Sequence, residues 1–239
     1  MHGRNREKAE STMNTIKKET NSENLNYVYA DLESFAQIKE MVRYLYDNFN
    51  KLDVLINNAG AIHSERKISP EGIEETFAIN YVAPFLLTNL LLDLLKKANS
   101  SRIINVVSRV HSNQVNFKDL QLEKGYSPVK AYANSKTALI LFTYFLAVKL
   151  KGKNITVNCL HPGVIDTKLL RAAYGTDGAP LTEGANRLVF AATAPELENV
   201  SGKYLVHNRS ESSKEITYDR EVQKTLWRKT EQITGMTFE

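Results

Sequence analysis

Two kinds of segment alternate along the chain. Short apolar runs bounded by turn residues predict strands, and longer segments with apolar residues three or four positions apart predict helices. The predicted strands cover 25–30, 52–56, 102–107, 155–160 and 203–206. The predicted helices cover 5–20, 34–48, 72–98, 132–149, 182–193 and 217–234, with a kink or restart expected at Pro84.

Strands that alternate with helices predict a parallel sheet with helices on both faces. Neither a repeat nor a linker divides the chain, so residues 1–239 are expected to form a single domain. Ligands of such sheets bind beyond the carboxyl ends of the strands. Polar or turn residues follow four of the predicted strands at these ends, namely Asp31, Asn57–Gly60, Ser108 and Pro162-Gly163.

The segments 82–95 and 138–148 are apolar on nearly all sides of their predicted helices. A helix of this kind must be covered on more than one face. We therefore expect cover beyond the sheet, and a homodimer that buries both helices is one way to provide it. The segment 164–181, punctuated by glycine and proline, is expected to be a loop.

Composition narrows the classes of function. Hydrophobic residues make up 42% and charged residues 24% of the chain, as in ordinary globular proteins. The net charge of +4 is spread without a basic block, so nucleic acid is not an expected partner. Thr88, Asn89 and Asp93 interrupt the longest apolar stretch, which predicts no membrane span, and the polar start predicts no signal peptide.

Cysteine and histidine usage excludes further chemistry. Cys159 is the single cysteine, so there is no intrachain disulfide, and a reducing, cytoplasmic location is expected. Cys159 lies within a predicted strand and is expected in the core. The five histidines show no metal-ligand spacing, and His161 is assigned no role.

Tyr132-Ala-Asn-Ser-Lys136 places a phenol and an ammonium about one helical turn apart on one face. A free tyrosine has a pKa of about 10. A nearby ammonium favours the phenolate, and a phenol tuned in this way can exchange a proton with a substrate oxygen. The spacing alone is weak evidence, because an ordinary packed or solvated pair shows it equally well.

Six elements in order resemble the short-chain dehydrogenase/reductase family over essentially the whole chain. They are Asp31-Leu32, Asn57-Asn58-Ala59-Gly60, Asn80, Ser108, Tyr132-x-x-x-Lys136 and Pro162-Gly163-x-x-x-Thr167. The segment from Ser108 to Lys136, and the segment 200–204, resemble the retinol-dehydrogenase-like branch. The resemblance implies a Rossmann-like, doubly wound parallel sheet. It also implies an NAD(P)-dependent oxidoreductase that interconverts an alcohol and a carbonyl, with a bulky apolar substrate.

The resemblance also implies catalytic roles. Tyr132 would be the acid-base group, and Lys136 would lower its pKa and hold the nicotinamide ribose. Ser108 would hydrogen-bond the substrate oxygen; a strand-end serine that satisfies loop backbone is the alternative. Asn80 would hold a water in a proton relay, with a structural asparagine at a helix kink as the alternative.

Cofactor contacts follow from the same resemblance. Asn58, Ala59 and Gly60 would pack under the cofactor, unless they form a plain turn. Asp31 and Leu32 would meet the adenine, and Asp31 could also cap a helix. Pro162, Gly163 and Thr167 would line the nicotinamide carboxamide. Arg4-Asn5 resembles the stretch that meets the 2′-phosphate of NADP, so NADP is expected over NAD. The alternative is a pair of merely exposed terminal residues.

The family begins with a strand, a glycine-rich turn, a helix and a second strand. The only glycine here before Gly60 is Gly3, and Met1-His2 matches the end of the second strand. We therefore expect about five of the seven strands, an N-terminally truncated domain, and a strand at 25–30 that is either orphaned or re-paired beside 52–56. A non-catalytic Rossmann-fold protein or an inactive fragment is the alternative function.

Overall fold

The computed structural model describes residues 1–238. Its strands are β1 His2–Gly3, β2 Val28–Tyr29, β3 Val54–Asn57, β4 Ser101–Val106, β5 Ile155–His161, β6 Tyr204–Val206 and β7 Arg209–Glu211. Its α-helices are α1 Arg6–Thr20, α2 Phe35–Asn48, α3 Glu75–Phe77, α4 Ala83–Leu90, α5 Leu92–Lys96, α6 Pro128–Lys149, α7 Lys168–Tyr174, α8 Leu181–Thr193 and α9 Arg220–Thr234.

The main sheet has five strands in the order β3-β4-β5-β6-β7. The pairs from β3 to β6 are parallel, and β7 is antiparallel to β6. A tight turn at His207 and Asn208 joins these last two strands, and both residues have positive φ angles, 48° and 62°. The predicted Rossmann-like α/β fold is confirmed, while β7 was not predicted.

β1 and β2 form a separate two-stranded parallel sheet. The Val28 N–H donates to Met1 O at 2.8 Å, and the Tyr27 hydroxyl donates to Gly3 O at 2.6 Å. The expectation that strand 25–30 would be orphaned or paired beside 52–56 was wrong, because this strand pairs with the backbone of His2–Gly3. Within residues 1–238 the two sheets are not joined into a seven-stranded sheet.

Helices cover both faces of the main sheet. On one face α6 lies among α4, α9 and β5, and α8 packs over Ile104, Leu160 and Leu205 on the other. Trp227 of α9 stacks on Phe142 of α6, with ring centroids 6.0 Å apart. The segments 82–95 and 138–148 are therefore covered largely within one chain, which removes the reason given above for expecting a homodimer.

The predicted helix 72–98 is interrupted, but not by a kink centred on Pro84. Five residues, Ala78–Val82, form a π-helical turn in which the Ala83 N–H donates to Ala78 O. Pro84 has no N–H for the α-helical bond to Asn80 O, which favours a wider turn just before it. A second interruption lies at Leu91, between α4 and α5.

Two further boundaries differ from the sequence pattern. α6 begins at Pro128, because proline is well suited to a first helical position, so Tyr132 lies in its second turn. The segment 164–181, expected to be a loop, contains α7, which has no buried residue and is capped by Thr167. None of the helices within residues 1–238 combines the length and apolarity needed to cross a bilayer.

Candidate active site

The predicted catalytic residues converge at the carboxyl edge of the main sheet. Ser108 follows β4, Gly60 follows β3, and α6 carries Tyr132 and Lys136 across this edge. The Lys136 Nζ atom lies 5.5 Å from the centroid of the Tyr132 ring. It would also lie 3.7 Å from a Cβ atom placed on Gly60. The ends of two strands and one helix therefore meet around a single ammonium.

Burial sets the charge state of the pair. It raises the pKa of Tyr132 to about 12, and the neighbouring Ser108 side chain lowers that pKa by a smaller amount. It lowers the pKa of Lys136 to about 8. Burial therefore dominates the pKa of Tyr132 in this arrangement, and the lowering expected from Lys136 stays a prediction. The ammonium donates to Val106 O at 2.9 Å and is not hydrogen-bonded to the phenol.

Ser108 is buried, and its own loop orients it. Its Oγ atom accepts a hydrogen bond from the Val110 N–H at 3.1 Å. Because this bond uses a lone pair on the oxygen, the hydroxyl hydrogen remains available to another acceptor. Ser108 can therefore satisfy loop backbone and donate to a substrate oxygen at the same time, so the two alternatives are compatible.

Asn80 is fully buried in the π-helical turn. Its Nδ2 group donates to Ala61 O at 2.9 Å and to Ser135 Oγ at 3.0 Å, and its Oδ1 atom accepts from the Ala61 N–H at 2.7 Å. Both amide hydrogens are thus used to fasten the loop after β3 to α6. This arrangement favours the structural alternative, and the water-holding role stays a prediction.

The surroundings of Lys136 fit the ribose end of a nicotinamide cofactor. Asn58, Ala59 and Gly60 are exposed at the edge of the sheet. A Cβ on Gly60 would stand 3.4 Å from Asn80 Oδ1, so glycine keeps this space open for close approach. The Lys136 ammonium, with three hydrogens, has one hydrogen-bond partner among the described residues and can donate to ribose hydroxyls.

The residues predicted to meet the adenine and the 2′-phosphate lie together after β1 and β2. The Asn5 side chain caps α1 by accepting from the Lys8 N–H at 2.8 Å. Asp31 caps no helix, because Ser34 is the N-cap of α2. Asp31 Oδ1 instead accepts from the Glu33 N–H at 3.1 Å.

Sequence reasoning missed Glu33 as a neighbour of Arg4. The Arg4 guanidinium lies 3.7 Å from the Glu33 carboxylate, and its side chain is 70% exposed. Burial raises the pKa of Glu33, with Glu75 and Asp31 adding to the effect. The two residues come from separate strand ends, so only the pairing of β1 with β2 could have indicated the contact. Leu32 packs against the cluster that contains Ile38 and Leu86.

Arg187 of α8 is a second residue that sequence reasoning missed. Its Nη1 atom donates to Pro162 O, and its Nη2 atom donates to Glu183 at 3.0 Å. A Cβ on Gly163 would clash with this guanidinium, and the Gly163 φ angle of 99° also favours glycine. Thr167, predicted to line the carboxamide, uses its hydroxyl to cap α7.

A buried row of polar side chains lies beneath the site. Asn57 Nδ2 donates to Thr88 Oγ1 at 3.0 Å and to Asn105 Oδ1 at 2.7 Å. Asn105 Nδ2 in turn donates to Thr143 Oγ1 of α6 at 2.9 Å. The row ties α4, β3, β4 and α6 together. The sequence shows Asn57 and Asn105 at or near the ends of β3 and β4, but it does not show their hydrogen-bond partners.

Other candidate sites are less well placed. A cavity of about 660 Å³ lies at the amino-terminal end of β5, lined by residues that include Lys151, Ile155 and Arg220, and so at the opposite edge of the sheet from the strand ends near Tyr132. Within residues 1–238 no three potential ligands converge on a metal site. Cys159 is fully buried, as expected. His161 is also buried, and burial lowers its pKa to about 4.

Comparison with known proteins agrees with this geometry. The family model described as short chain dehydrogenase matches residues 1–177. Human "Polyprenol dehydrogenase" is 37% identical over 98% of this chain and 76% of that protein. Human "Retinol dehydrogenase 13" is 35% identical over 98% of this chain and 76% of that protein.

Solved structures share the fold. An uncharacterized protein from Mycobacterium paratuberculosis superposes with a TM-score of 0.81 at 26% identity, covering all of this chain and 84% of that one. A short chain dehydrogenase from Escherichia coli CFT073, complexed with NADPH, gives a TM-score of 0.68 at 23% identity, covering 85% and 83%. The chain therefore belongs to the short chain dehydrogenase family, in its retinol-dehydrogenase-like branch, and is an NAD(P)-dependent oxidoreductase of CH–OH groups.

Proposed function

We propose that this oxidoreductase interconverts a bulky apolar alcohol and its carbonyl, with Tyr132 as the proton donor and acceptor. The observation that carries the proposal is the convergence of Ser108, Tyr132 and Lys136 at one edge of the sheet. Burial keeps the Tyr132 phenol protonated at neutral pH. The resting site is therefore in the protonation state required for carbonyl reduction.

In reduction, the Tyr132 hydroxyl gives its proton to the carbonyl oxygen as the carbon–oxygen double bond is lost. The Ser108 hydroxyl donates to the same oxygen and stabilises the charge that develops there. A bound nicotinamide cofactor would supply the hydride that the carbon accepts. Lys136 would hold the cofactor ribose, and its positive charge would favour the phenolate that Tyr132 becomes. Alcohol oxidation uses the same groups in reverse.

NADP is the proposed cofactor. Arg4 is largely exposed at the carboxyl end of β1, where its guanidinium can meet a 2′-phosphate. Glu33 is a competing partner that the phosphate must replace, and Asp31 and Leu32 lie nearby for the adenine. The substitution Arg4→Ala should weaken binding of NADPH more than binding of NADH, as measured by cofactor fluorescence. Equal weakening of both would contradict the assignment.

An apolar substrate is supported by the segment that follows β5. Val164, Tyr174 and Leu181, which all follow β5, are 58%, 41% and 63% exposed. Retinol and polyprenols, named in the relatives, are apolar isoprenoid alcohols. We propose a long isoprenoid alcohol or aldehyde as the substrate class.

The test is NADPH-dependent reduction of a long isoprenoid aldehyde beside a short aliphatic aldehyde. We expect the long substrate to have the higher kcat/KM. Tyr132→Phe should lose turnover while it still binds NADPH, because it removes only the hydroxyl. If Tyr132→Phe keeps full turnover, the proposed acid-base role is wrong; if the short aldehyde reacts as well as the long one, the substrate class is wrong.

A single domain over 1–239 and a cytoplasmic location stay predictions, the latter compatible with the free, buried Cys159. A homodimer also stays a prediction, and light scattering tests it.

The separation of β1–β2 from β3 supports the hypothesis that an upstream segment supplies a central strand and a glycine-rich turn. Comparing NADPH binding of this chain with that of an upstream-extended chain tests this hypothesis against the non-catalytic alternative. An extended chain that binds no NADPH would favour the alternative.

A further inference from the structure

His111 lies in the loop that carries Ser108, and both of its ring nitrogens are engaged. The Nδ1 atom lies 2.8 Å from Ser108 O. The Nε2 atom accepts the Lys214 backbone N–H at 3.0 Å. A backbone N–H can only donate, so Nε2 carries the lone pair and Nδ1 carries the hydrogen. The Nδ1–H group therefore donates to the carbonyl of Ser108.

The environment of the ring favours this neutral form. Burial lowers the pKa of His111, and Lys214 lowers it further. The ring also packs edge-on against Tyr204 of β6, with centroids 5.7 Å apart. A neutral imidazole can serve as donor and acceptor at once, whereas an imidazolium could not accept the Lys214 N–H.

The two bonds join the Ser108 loop to a distant part of the chain. The Ile216 N–H donates to Asn113 Oδ1 at 3.2 Å, which adds a second link to the same C-terminal segment. On its other side, the Ser112 N–H donates to Thr137 Oγ1 of α6 at 2.7 Å. The loop is therefore held between α6, which carries Tyr132, and the segment 213–218.

We propose that His111 is a positioning residue for Ser108. Its Nδ1–H group fixes the Ser108 carbonyl, and thereby the orientation of the Ser108 hydroxyl toward the substrate oxygen. His111 itself touches neither substrate nor cofactor. The inference rests on the proposed function, because it requires Ser108 to contact the substrate.

Two substitutions separate the two hydrogen bonds. In His111→Asn the side-chain amide can place an N–H group where Nδ1 lies, so the bond to Ser108 O is kept and the bond from Lys214 is lost. In His111→Gln the amide oxygen can reach the position of Nε2, so the bond from Lys214 is kept and the bond to Ser108 O is lost. Urea unfolding shows whether each variant folds.

We expect His111→Gln to lower kcat at least about tenfold, with the KM for NADPH unchanged, because misplacement of a catalytic group slows chemistry without altering cofactor contacts. His111→Asn should retain most of the wild-type kcat. Equal kcat values for the two variants, whether both low or both unchanged, would overturn the proposal.

A double-mutant cycle with Ser108→Ala distinguishes the inference from its premise. If His111 acts through Ser108, adding His111→Gln to Ser108→Ala should cause no further loss of kcat. A multiplied loss would overturn the positioning role. Full activity of Ser108→Ala alone would instead refute the role of Ser108 in the proposed function. A loss of kcat in Ser108→Ala without a loss of kcat in His111→Gln would refute only the positioning role of His111.

Discussion

Lys136 should make this protein more stable as the pH rises. A lysine in a stabilising ion pair would have the opposite effect. Lys136 is 3% exposed, and burial lowers its pKa from 10.5 to about 8. This difference corresponds to about 3 kcal/mol of unfolding free energy that is missing when the lysine is charged. The folded state carries this penalty below pH 8, where the folded and unfolded chains are both protonated.

Between pH 8 and pH 10.5 the folded chain has lost the proton that the unfolded chain still binds. Stability must therefore rise with pH over this window, by about 1.4 kcal/mol per pH unit at most. The substitution Lys136→Met removes the titrating group. From pH 7 to pH 10.5, the unfolding free energy of the wild type should rise by about 3 kcal/mol relative to that of Lys136→Met. The bond from Lys136 to Val106 O is missing in Lys136→Met at every pH, and its dependence on the charge of the lysine is already contained in the pKa of Lys136.

Urea unfolding of both proteins at several pH values measures this difference. The other groups that titrate in this range, among them the buried Cys159, are common to both proteins and cancel. Lys151→Met, at an exposed lysine just beyond α6, is the matched control, because it keeps Lys136 and should follow the wild type across this range. A wild-type minus Lys136→Met difference that stays flat from pH 7 to pH 10.5 would refute the claim that Lys136 is held as a desolvated ammonium.

Three further predictions follow from the same structure. The kcat/KM for carbonyl reduction should fall as pH rises through about 8, where Lys136 loses its proton. Tyr132 stays protonated at this pH. The fall in kcat/KM should be absent in Lys136→Arg, because arginine keeps its charge. Gly163→Ala should lose about 1–3 kcal/mol of unfolding free energy, and more than Gly72→Ala, which also has positive φ but meets no neighbour. Trp227→Ala should lose about 3–5 kcal/mol in urea unfolding, and Trp227→Phe less.

Periodicity located the parts of the fold that depend on local pattern. The strands at 54–57, 101–106 and 155–161 lie within two residues of their predicted bounds, because buried parallel strands are continuous apolar runs. β7 was missed because its exposed residues Arg209–Glu211 carry no apolar signal. Its existence depends on the positive φ angles of His207 and Asn208, which their sequence permits but does not demand.

The candidate site could be predicted in its residue types but not in its electrostatics. The order of Ser108, Tyr132 and Lys136 was visible in the chain, and the structure brings them together. The direction of the pKa change at Tyr132 was not visible, because it depends on burial by distant segments. Arg187 and Glu33 were missed for a related reason, since each contacts its partner only through the packing of a separate element.

The separation of β1–β2 from the main sheet has a consequence for cooperativity. A two-stranded sheet is marginally stable by itself, and α1 contributes one buried residue, Ala9. Residues 1–31 should therefore open as a sub-global unit at a lower free energy than the main sheet, and amide hydrogen exchange should show it. Arg4 and Asp31 belong to this unit, whereas Tyr132 and Lys136 lie on α6, which should exchange more slowly. The two proposed ends of the cofactor site thus lie on regions with separate opening equilibria, so a ligand that spans both should protect residues 1–31 from exchange.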